Sequence, residues 1–214
     1  MPCGLCNVLD PFQYFVNNVL RAFLDQFLVV YIDDILVFSQ NLRDHVDHVR
    51  AVLKKMLENN LYVKLEKCAF HETEVEFFRF VLSENGVSMD PAKIQTILDW
   101  PSPKTVKEVQ SFIGFANFYL WFIKEFSKKV VPITKLLRKG VPFHWSTDAE
   151  DSFEFLKRAF TTALILLHPN PEEPFFVEAD ASDQAIGGVL SQRHKETGQL
   201  HPVAFRSRKL TSPE

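Results

Sequence analysis

The stretch Phe27-Leu28-Val29-Val30-Tyr31-Ile32-Asp33-Asp34-Ile35-Leu36-Val37-Phe38 places two adjacent aspartates inside an otherwise apolar run. Residues 27–31 and 35–38 are short β-type segments, and aspartate is a common turn residue. The stretch therefore predicts a β-hairpin with Asp33 and Asp34 at its tip. Burying two ionised, unpaired carboxylates costs on the order of several kcal/mol each. Either they lie in solvent as an ordinary turn, or a divalent metal ion offsets the cost.

Helices and short strands are predicted on both sides of this hairpin. Apolar residues at helical spacing predict amphipathic helices over residues 11–24 and 42–59. Strands are expected near residues 62–65 and 75–82, and Ser83-Glu84-Asn85-Gly86 is a turn cluster that ends this first region.

The next 60 or so residues read as mainly helical. Asp90-Pro91 is an N-cap with proline at the first helical position, and it opens a helix that ends at Trp100-Pro101. Capping boxes at Thr105 with Glu108 and at Thr147 with Glu150 predict two further helices.

The C-terminal part changes to strand character after a proline-rich linker at residues 169–174. Residues 175–180, 185–192 and 201–208 are β-type segments separated by turn residues, which predicts an antiparallel meander. The final Thr211-Ser212-Pro213-Glu214 is a capping box that would open another helix.

Composition limits the function classes without choosing among them. The formal charge of −3 disfavours a protein that binds nucleic acid through an overall basic surface. Three cysteines without a signal peptide, and an apolar run interrupted by aspartates, support neither secretion nor membrane spanning. We expect an intracellular location, cytoplasmic or nuclear.

Several short patterns carry little functional weight. Cys3-x-x-Cys6 has no second pair, and His45-x-x-His48 lies on a predicted surface helix, so neither favours zinc. The groups of cations are more often solvated faces than phosphate contacts; they are Lys54-Lys55, Lys128-Lys129, and Arg206 with Arg208 and Lys209.

The chain carries an ordered series of short motifs: Met1-Pro2-Cys3-Gly4, Phe12-Gln13, Tyr31-Ile32-Asp33-Asp34, Lys67-Cys68-Ala69-Phe70, Val75-Glu76-Phe77, Met89-Asp90-Pro91, Trp100-Pro101, Val109-Gln110-Ser111-Phe112 with Gly114 to Tyr119, and Val177-Glu178-Ala179-Asp180-Ala181-Ser182 with Gly187-Gly188. In order and spacing these motifs resemble the reverse transcriptases of Ty3/gypsy retrotransposons, and the last of them resembles the first strand of a retroelement RNase H domain.

The resemblance implies RNA-directed DNA synthesis with two Mg²⁺ ions. By the family pattern Asp33 is the principal metal ligand and Asp34 the weaker partner. Asp180 would be one of four carboxylates of an RNase H site, the others being expected beyond residue 214. The implied partners are an RNA template, a DNA primer, an RNA–DNA hybrid and a deoxynucleoside triphosphate, with no membrane; the sequence leaves the oligomeric state open.

The chain also departs from the family pattern. It begins at the Met-Pro-x-Gly segment, so we expect Met1 to be an internal methionine and an upstream metal-binding aspartate to be missing. Cys3 stands where phenylalanine is usual, Val8-Leu9-Asp10-Pro11 replaces an Ala-Pro pair, and Leu120-Trp121 replaces a basic pair. Arg79 replaces a glycine of the primer-grip hairpin, which would be strained if that glycine needs a positive φ.

These observations predict an α+β fold with three parts. Residues 1–82 would be the C-terminal part of a polymerase palm, 83–142 a helical thumb or connection, and 143–214 the N-terminal part of an RNase H-like domain. The predicted function is a segment of a retroelement polymerase and ribonuclease H, inactive alone because carboxylates are missing from both sites. The alternative is a non-enzymatic remnant or a host-adopted module that binds nucleic acid or protein.

Overall fold

The computed structural model describes residues 8–181 and 185–210. The chain divides into two compact units, one ending at Phe78 and the other beginning at Arg79. Both combine helices with antiparallel strands, so the predicted α+β class is confirmed. The Met-Pro-Cys-Gly motif, Cys6, Ser182 and the C-terminal capping box lie outside the described residues.

The first unit packs a β-hairpin against two helices. Its elements are α1 (Leu9–Val19), β1 (Leu28–Tyr31), β2 (Asp34–Val37), α2 (Leu42–Glu58), a 3-10 helix (Leu65–Lys67) and β3 (Glu74–Phe77). Helix α2 begins at Asn41, whose side chain accepts a hydrogen bond from the Asp44 backbone N–H at 2.9 Å. One apolar cluster joins the hairpin to α1 and α2; its buried members are Val16, Leu20, Leu28, Val52 and Met56.

The second unit combines a helical segment with a three-stranded meander. Its elements are β4 (Phe80–Ser83), β5 (Gly86–Met89), α3 (Pro91–Leu98), α4 (Val106–Phe118), a 3-10 helix (Leu120–Phe122), α5 (Phe126–Lys129), α6 (Val131–Lys135), α7 (Thr147–Thr161), β6 (Phe176–Ala181), β7 (Ala185–Arg193) and β8 (Leu200–Lys209). Strand β7 lies between β6 and β8, antiparallel to both, so the predicted meander is confirmed.

A single core joins the helices of this unit to its sheet. Phe112 and Phe153 are fully buried with their ring centroids 4.7 Å apart, and Phe205 of β8 belongs to the same cluster. Leu166 bonds β5 through two backbone hydrogen bonds with Val87, at 2.8 and 2.9 Å, and the next residue donates to Pro202 O. The helical and sheet parts of the second unit therefore fold around shared side chains.

Gly86 makes the approach of β5 to Leu166 possible. It has a φ of +133°, and a Cβ at this position would lie 2.1 Å from the carbonyl oxygen of Leu166. Glycine is the residue that tolerates both this backbone conformation and this closeness.

Several sequence expectations are wrong in detail. No strand forms at residues 62–65; Tyr62 and Leu65 are 76% and 70% exposed, so the segment buries no face against a partner. The expected strand at 75–82 is split by a turn at Phe78 and Arg79. Helix α1 ends at Val19 rather than at residue 24, because the chain turns through Asp25, with a φ of 62°, before β1.

The capping prediction at α7 is wrong by one residue. Ser146, not Thr147, is the N-cap, and its hydroxyl accepts from the Ala149 backbone N–H at 3.3 Å. The carboxylate of Glu150 instead accepts from the indole N–H of Trp145 and from the hydroxyl of Ser102. At α4 the expected N-cap is confirmed, since Thr105 accepts from the Glu108 backbone N–H.

Candidate functional site: a carboxylate hairpin

Asp33 and Asp34 lie at the tip of a tight β-hairpin, as the sequence predicts. Tyr31 pairs with Asp34 in the ladder, so Ile32 and Asp33 form a two-residue turn and Asp34 begins β2. Both aspartates are exposed. The hairpin therefore presents two adjacent carboxylates to solvent, at a place where ligands can reach them.

The turn holds an unfavourable backbone conformation. Ile32 has a φ of +55°, a region that β-branched residues rarely adopt. A positive φ at the first central residue alone is the pattern of a type II′ turn, where glycine is usual. Such a conformation costs on the order of 1–3 kcal/mol and persists where surrounding contacts impose it.

Gln13 of α1 supplies those contacts. Its side-chain oxygen accepts a hydrogen bond from the Ile32 backbone N–H, and its amide nitrogen donates to Asn17 Oδ1 at 2.8 Å and to Val30 O at 3.4 Å. The side chain of Gln13 thus connects helix α1 both to the end of strand β1, at Val30, and to the hairpin tip, at Ile32. It is a positioning residue for the two carboxylates, although the sequence alone gave it no role beyond a motif match.

The apolar face of the hairpin anchors it to the helices of the first unit. Leu28 is fully buried, and Val30 and Ile35 pack against the same cluster. Residues two apart on a strand share a face, so Val29 and Tyr31 point away and are 39% and 43% exposed. The tip is consequently held on one side by buried apolar contacts and by Gln13.

No third acidic group completes a metal-binding set in the described part of the chain. Across residues 8–181 and 185–210, no group of three or more His, Cys, Asp or Glu side chains could hold a metal ion. Cys3 and Cys6 lie outside these ranges. Within the described residues, no helix is long and apolar enough to cross a membrane.

The His45-x-x-His48 pattern is part of a small polar cluster. Ser39 Oγ lies 3.3 Å from His45 Nδ1 and 2.7 Å from His48 Nδ1, and the His48 ring stacks on Phe27. His71 approaches His45 with a centroid distance of 5.4 Å. Burial, and then the charges of His71 and His48, lower the pKa of His45 below its ordinary value. The histidines therefore pack within the first unit, with His45 favoured in its neutral form.

Asp180 lies in the second unit, on strand β6 opposite Gly187. It is exposed and lines a surface depression together with Glu125, Lys128 and Ser207. Ser207 accepts a hydrogen bond from the Ser127 backbone N–H at 2.8 Å, which fixes α5 beside β8. The sequence motif pointed to Asp180, but it gave no signal for Glu125, which is distant in the chain and belongs to no recognisable pattern.

Arg79, which stands where the resemblance implies a glycine, has a positive backbone φ. This conformation costs free energy for residues other than glycine. The φ of Arg79 is +66°, and that of Phe78 is +50°. Its guanidinium lies 5.3 Å from the centroid of the Phe118 ring, and its carbonyl accepts from the Tyr119 hydroxyl at 3.2 Å. Burial, and then the charge of Asp90, raise the pKa of that tyrosine. Contacts in the second unit thus hold Arg79 in a glycine-like turn.

Paired carboxylates on a hairpin tip, supported by helices and followed by a helical segment and a meander, are consistent with a segment of a retroelement polymerase. The match to known families agrees. Residues 1–156 match the model of the reverse transcriptase (RNA-dependent DNA polymerase) family, and residues 145–214 match the RNase H-like domain found in reverse transcriptase. The chain belongs to the reverse transcriptase family.

Its relatives are retrotransposon and retroviral proteins. It is 34% identical over 214 residues to the transposon Tf2-3 and Tf2-7 polyproteins of Schizosaccharomyces pombe, covering all of this chain and 16% of each polyprotein. A foamy viral protease–reverse transcriptase in complex with double-stranded DNA aligns with a TM-score of 0.85 and 27% identity over 99% of this chain and 37% of that one. Another, in complex with an RNA/DNA hybrid, gives 0.82 and 28% over 99% and 28%.

Proposed function

We propose that this chain supplies the Asp33–Asp34 part of a polymerase active site that transfers deoxynucleotides to a DNA primer on an RNA template. The observation that carries the proposal is the pair of exposed carboxylates on a turn whose strained backbone is bound by Gln13. Strain that is maintained by a specific partner at a solvent-facing tip is typical of functional sites.

The donor chemistry of the hairpin fits Mg²⁺. Mg²⁺ prefers hard oxygen ligands, and it commonly uses one or two carboxylates together with waters and substrate phosphates. Asp33 and Asp34 are the residues that would hold it. When bound, the metal ions of such sites neutralise charge on the transferred phosphoryl group. The contribution of the chain itself is to present both carboxylates on a support of α1, α2 and Gln13.

A direct test is paramagnetic line broadening by Mn²⁺, a Mg²⁺ substitute, observed by NMR on the full chain. We expect resonances of Ile32, Asp33 and Asp34 to broaden first, and the effect to disappear in Asp33→Asn/Asp34→Asn. The matched control is Glu172→Gln/Glu173→Gln, which removes another adjacent pair of exposed carboxylates. Broadening that is equally strong around Glu172, or that survives the aspartate substitutions, would contradict the proposal.

Nucleic-acid partners follow from the same assignment. Two solved relatives are complexes with double-stranded DNA and with an RNA/DNA hybrid. For this chain we propose contacts with template, primer and hybrid, and with a deoxynucleoside triphosphate at the hairpin. Because the net charge is −3, binding should be weak, tolerant of sequence and steeply dependent on salt.

Asp180 is proposed as one carboxylate of the RNase H-like part. Its exposure and its position on β6 support this, while Lys128 in the same depression would compete with a metal ion for it. The chain spans 16% of the polyproteins it matches, so both complete activities are proposed for the longer protein.

The chain alone should neither extend a primer nor cleave a hybrid at a useful rate. Two-metal chemistry needs both ions and the reacting oxygens held in line, and among residues 8–181 and 185–210 neither site gathers three ligating side chains. Primer-extension and hybrid-cleavage assays with Mg²⁺ or Mn²⁺ would test this, with Asp33→Asn and Asp180→Asn to identify contaminating enzymes. Activity that is lost in those variants would show that the sites are complete after all.

The alternative, a non-enzymatic module, is favoured by one observation. Arg79 keeps a side chain at a positive φ where the resemblance implies a glycine, a cost that selection for polymerase function would be expected to remove. If Mn²⁺ broadens no resonance of the hairpin while nucleic acid still binds, the non-enzymatic alternative is the better account.

A further inference from the structure

An exposed tryptophan stands out in the second unit. Trp121 lies in the middle of the 3-10 helix Leu120–Phe122 and is 42% exposed. The two residues that follow it, Phe122 and Ile123, are buried, at 5% and 4% exposure. The neighbours on either side thus fix the backbone in the core and direct the indole outward. A large aromatic side chain held at the surface on a rigid support is suited to contact a ligand.

Arg206 of β8 lies beside this indole. Its guanidinium carbon is 4.9 Å from the centroid of the Trp121 ring, and the residue is exposed. Stacking against the ring restricts the guanidinium while leaving its N–H groups available for an anion. Tryptophan and arginine together present an aromatic face and a fixed cation at one place.

Further cations lie on the two segments that meet here, residues 120–130 and β8. They are Lys124, Lys128, Lys129, Arg208 and Lys209, and the carboxylates alongside them are Glu125 and Asp180. We call Trp121, Lys124, Lys128 and Arg206 the Trp121 edge. Within residues 8–181 and 185–210, none of its three cations forms a salt bridge. A chain of net charge −3 thus carries one cation on the exposed indole itself and further cations along the two segments that meet there.

Two other cation–aromatic pairs of this unit differ from the Trp121 edge. Lys157 lies over the fully buried Phe153 and donates to the carbonyl of Trp100, so it is part of the core. Arg193 lies 5.2 Å from the centroid of Phe176, but it donates to the carbonyl of Gly198 within its own hairpin. Arg193 is therefore a matched control, an exposed arginine on an aromatic ring whose N–H group is already used.

We infer that the Trp121 edge binds an unpaired nucleic-acid strand, with a base stacked on Trp121 and backbone phosphates on Arg206, Lys124 and Lys128. Indole stacking accepts any base, and cations follow the phosphates, which is how proteins bind single strands without reading sequence. In a duplex the base faces are already stacked on their neighbours, so the indole would add little there. The inference needs neither Asp33 nor a metal ion.

The test uses the full chain, in EDTA, and fluorescence anisotropy of labelled oligonucleotides of about 12 nucleotides, a length typical of single-strand sites. We expect Trp121→Ala to weaken binding of a single strand by roughly tenfold or more, the usual effect of losing one stacked base. Binding of a duplex of equal length should change by less than about threefold, since duplex contacts are dominated by phosphates. Trp121→Phe keeps a ring and should recover most of the loss.

Arg206→Ala gives an independent measurement that leaves the indole in place. It should weaken single-strand binding and reduce the slope of log affinity against log salt by about 0.7, the value for one phosphate contact on a single strand. Arg193→Ala should leave both unchanged. Asp33→Asn/Asp34→Asn should also bind single strands normally, which separates this inference from the proposed polymerase site. Equal losses for single strand and duplex in Trp121→Ala, or an effect of Arg193→Ala as large as that of Arg206→Ala, would overturn it.

Discussion

Replacing Gly86 with alanine should destabilise the second unit strongly, because the new Cβ would lie 2.1 Å from the carbonyl oxygen of Leu166. Either Leu166 moves away, which breaks the two backbone hydrogen bonds between Val87 and Leu166, or β5 rotates out of its ladder. Two such bonds contribute about 0.5–1.5 kcal/mol each, and a side chain at positive φ costs about 1–2 kcal/mol. The expected loss is therefore about 2–5 kcal/mol, a large share of the stability of a typical domain.

Urea unfolding followed by tryptophan fluorescence measures this loss specifically. All three tryptophans, Trp100, Trp121 and Trp145, belong to the second unit, so the signal reports on that unit alone. Gly114→Ala is the matched control: Gly114 lies inside α4 with no atom near the position of a Cβ, so alanine there should stabilise by about 0.5–1 kcal/mol. A loss below about 1 kcal/mol for Gly86→Ala, within the range of ordinary surface substitutions, would refute the proposed packing of β5 against Leu166.

Three further substitutions or conditions test individual contacts. Gln13→Ala should leave the Ile32 N–H without its acceptor, at a cost of about 1–3 kcal/mol, and accelerate hydrogen exchange of that amide. Gln13→Glu keeps an acceptor oxygen and should not accelerate the exchange, and unchanged exchange in Gln13→Ala would refute the role of Gln13. Arg79→Gly and Arg79→Ala both lose the contact with the Phe118 ring, but only glycine relieves the positive φ, so the glycine variant should be the more stable by about 1 kcal/mol in urea unfolding; equal stability would contradict the strain. The pKa of His45 is lowered on folding, so the unfolded state binds more protons and the first unit should lose stability as the pH falls below about 6.5. Thermal melts followed by circular dichroism should show a smaller loss of stability in His71→Phe, and a loss as large as in the unmodified chain would contradict the contribution of His71.

Local patterns in the sequence were enough to predict the hairpin, the helix starts at Asp90 and Thr105, and the meander. In each case the deciding signal lies within a few residues: an alternation of apolar side chains, a turn former, or a capping residue. The strand expected at residues 62–65 failed because β propensity does not establish that a partner strand is available. The split between β3 and β4 was missed because Phe78 and Arg79 have no turn preference of their own; contacts elsewhere in the fold impose their positive φ.

Contacts between residues distant in sequence were beyond prediction for a different reason. Glu125 lines the same depression as Asp180, His71 approaches His45, and Arg206 approaches Trp121. Each of these placements depends on how whole elements pack, and no periodicity within one segment encodes it. The resemblance identified Asp33, Asp34 and Asp180 individually, but not what surrounds each carboxylate.

Two of the turns with a positive φ, those at Ile32 and at Arg79, are supported differently, and the difference bears on function. At Ile32 the strain is matched by a side chain, Gln13, that bonds the strained amide itself, so the fold specifies this conformation next to the two carboxylates. At Arg79 the support comes from the Tyr119 hydroxyl, which donates to the Arg79 carbonyl and does not require arginine, and from the contact of the Arg79 guanidinium with the Phe118 ring. A glycine would keep the Tyr119 bond and remove the strain. A side chain therefore bonds the strained residue in both turns, Gln13 at the Ile32 amide and Tyr119 at the Arg79 carbonyl. Of these two turns, the one at Ile32 carries the proposed metal ligands, so its support is the one that bears on catalysis.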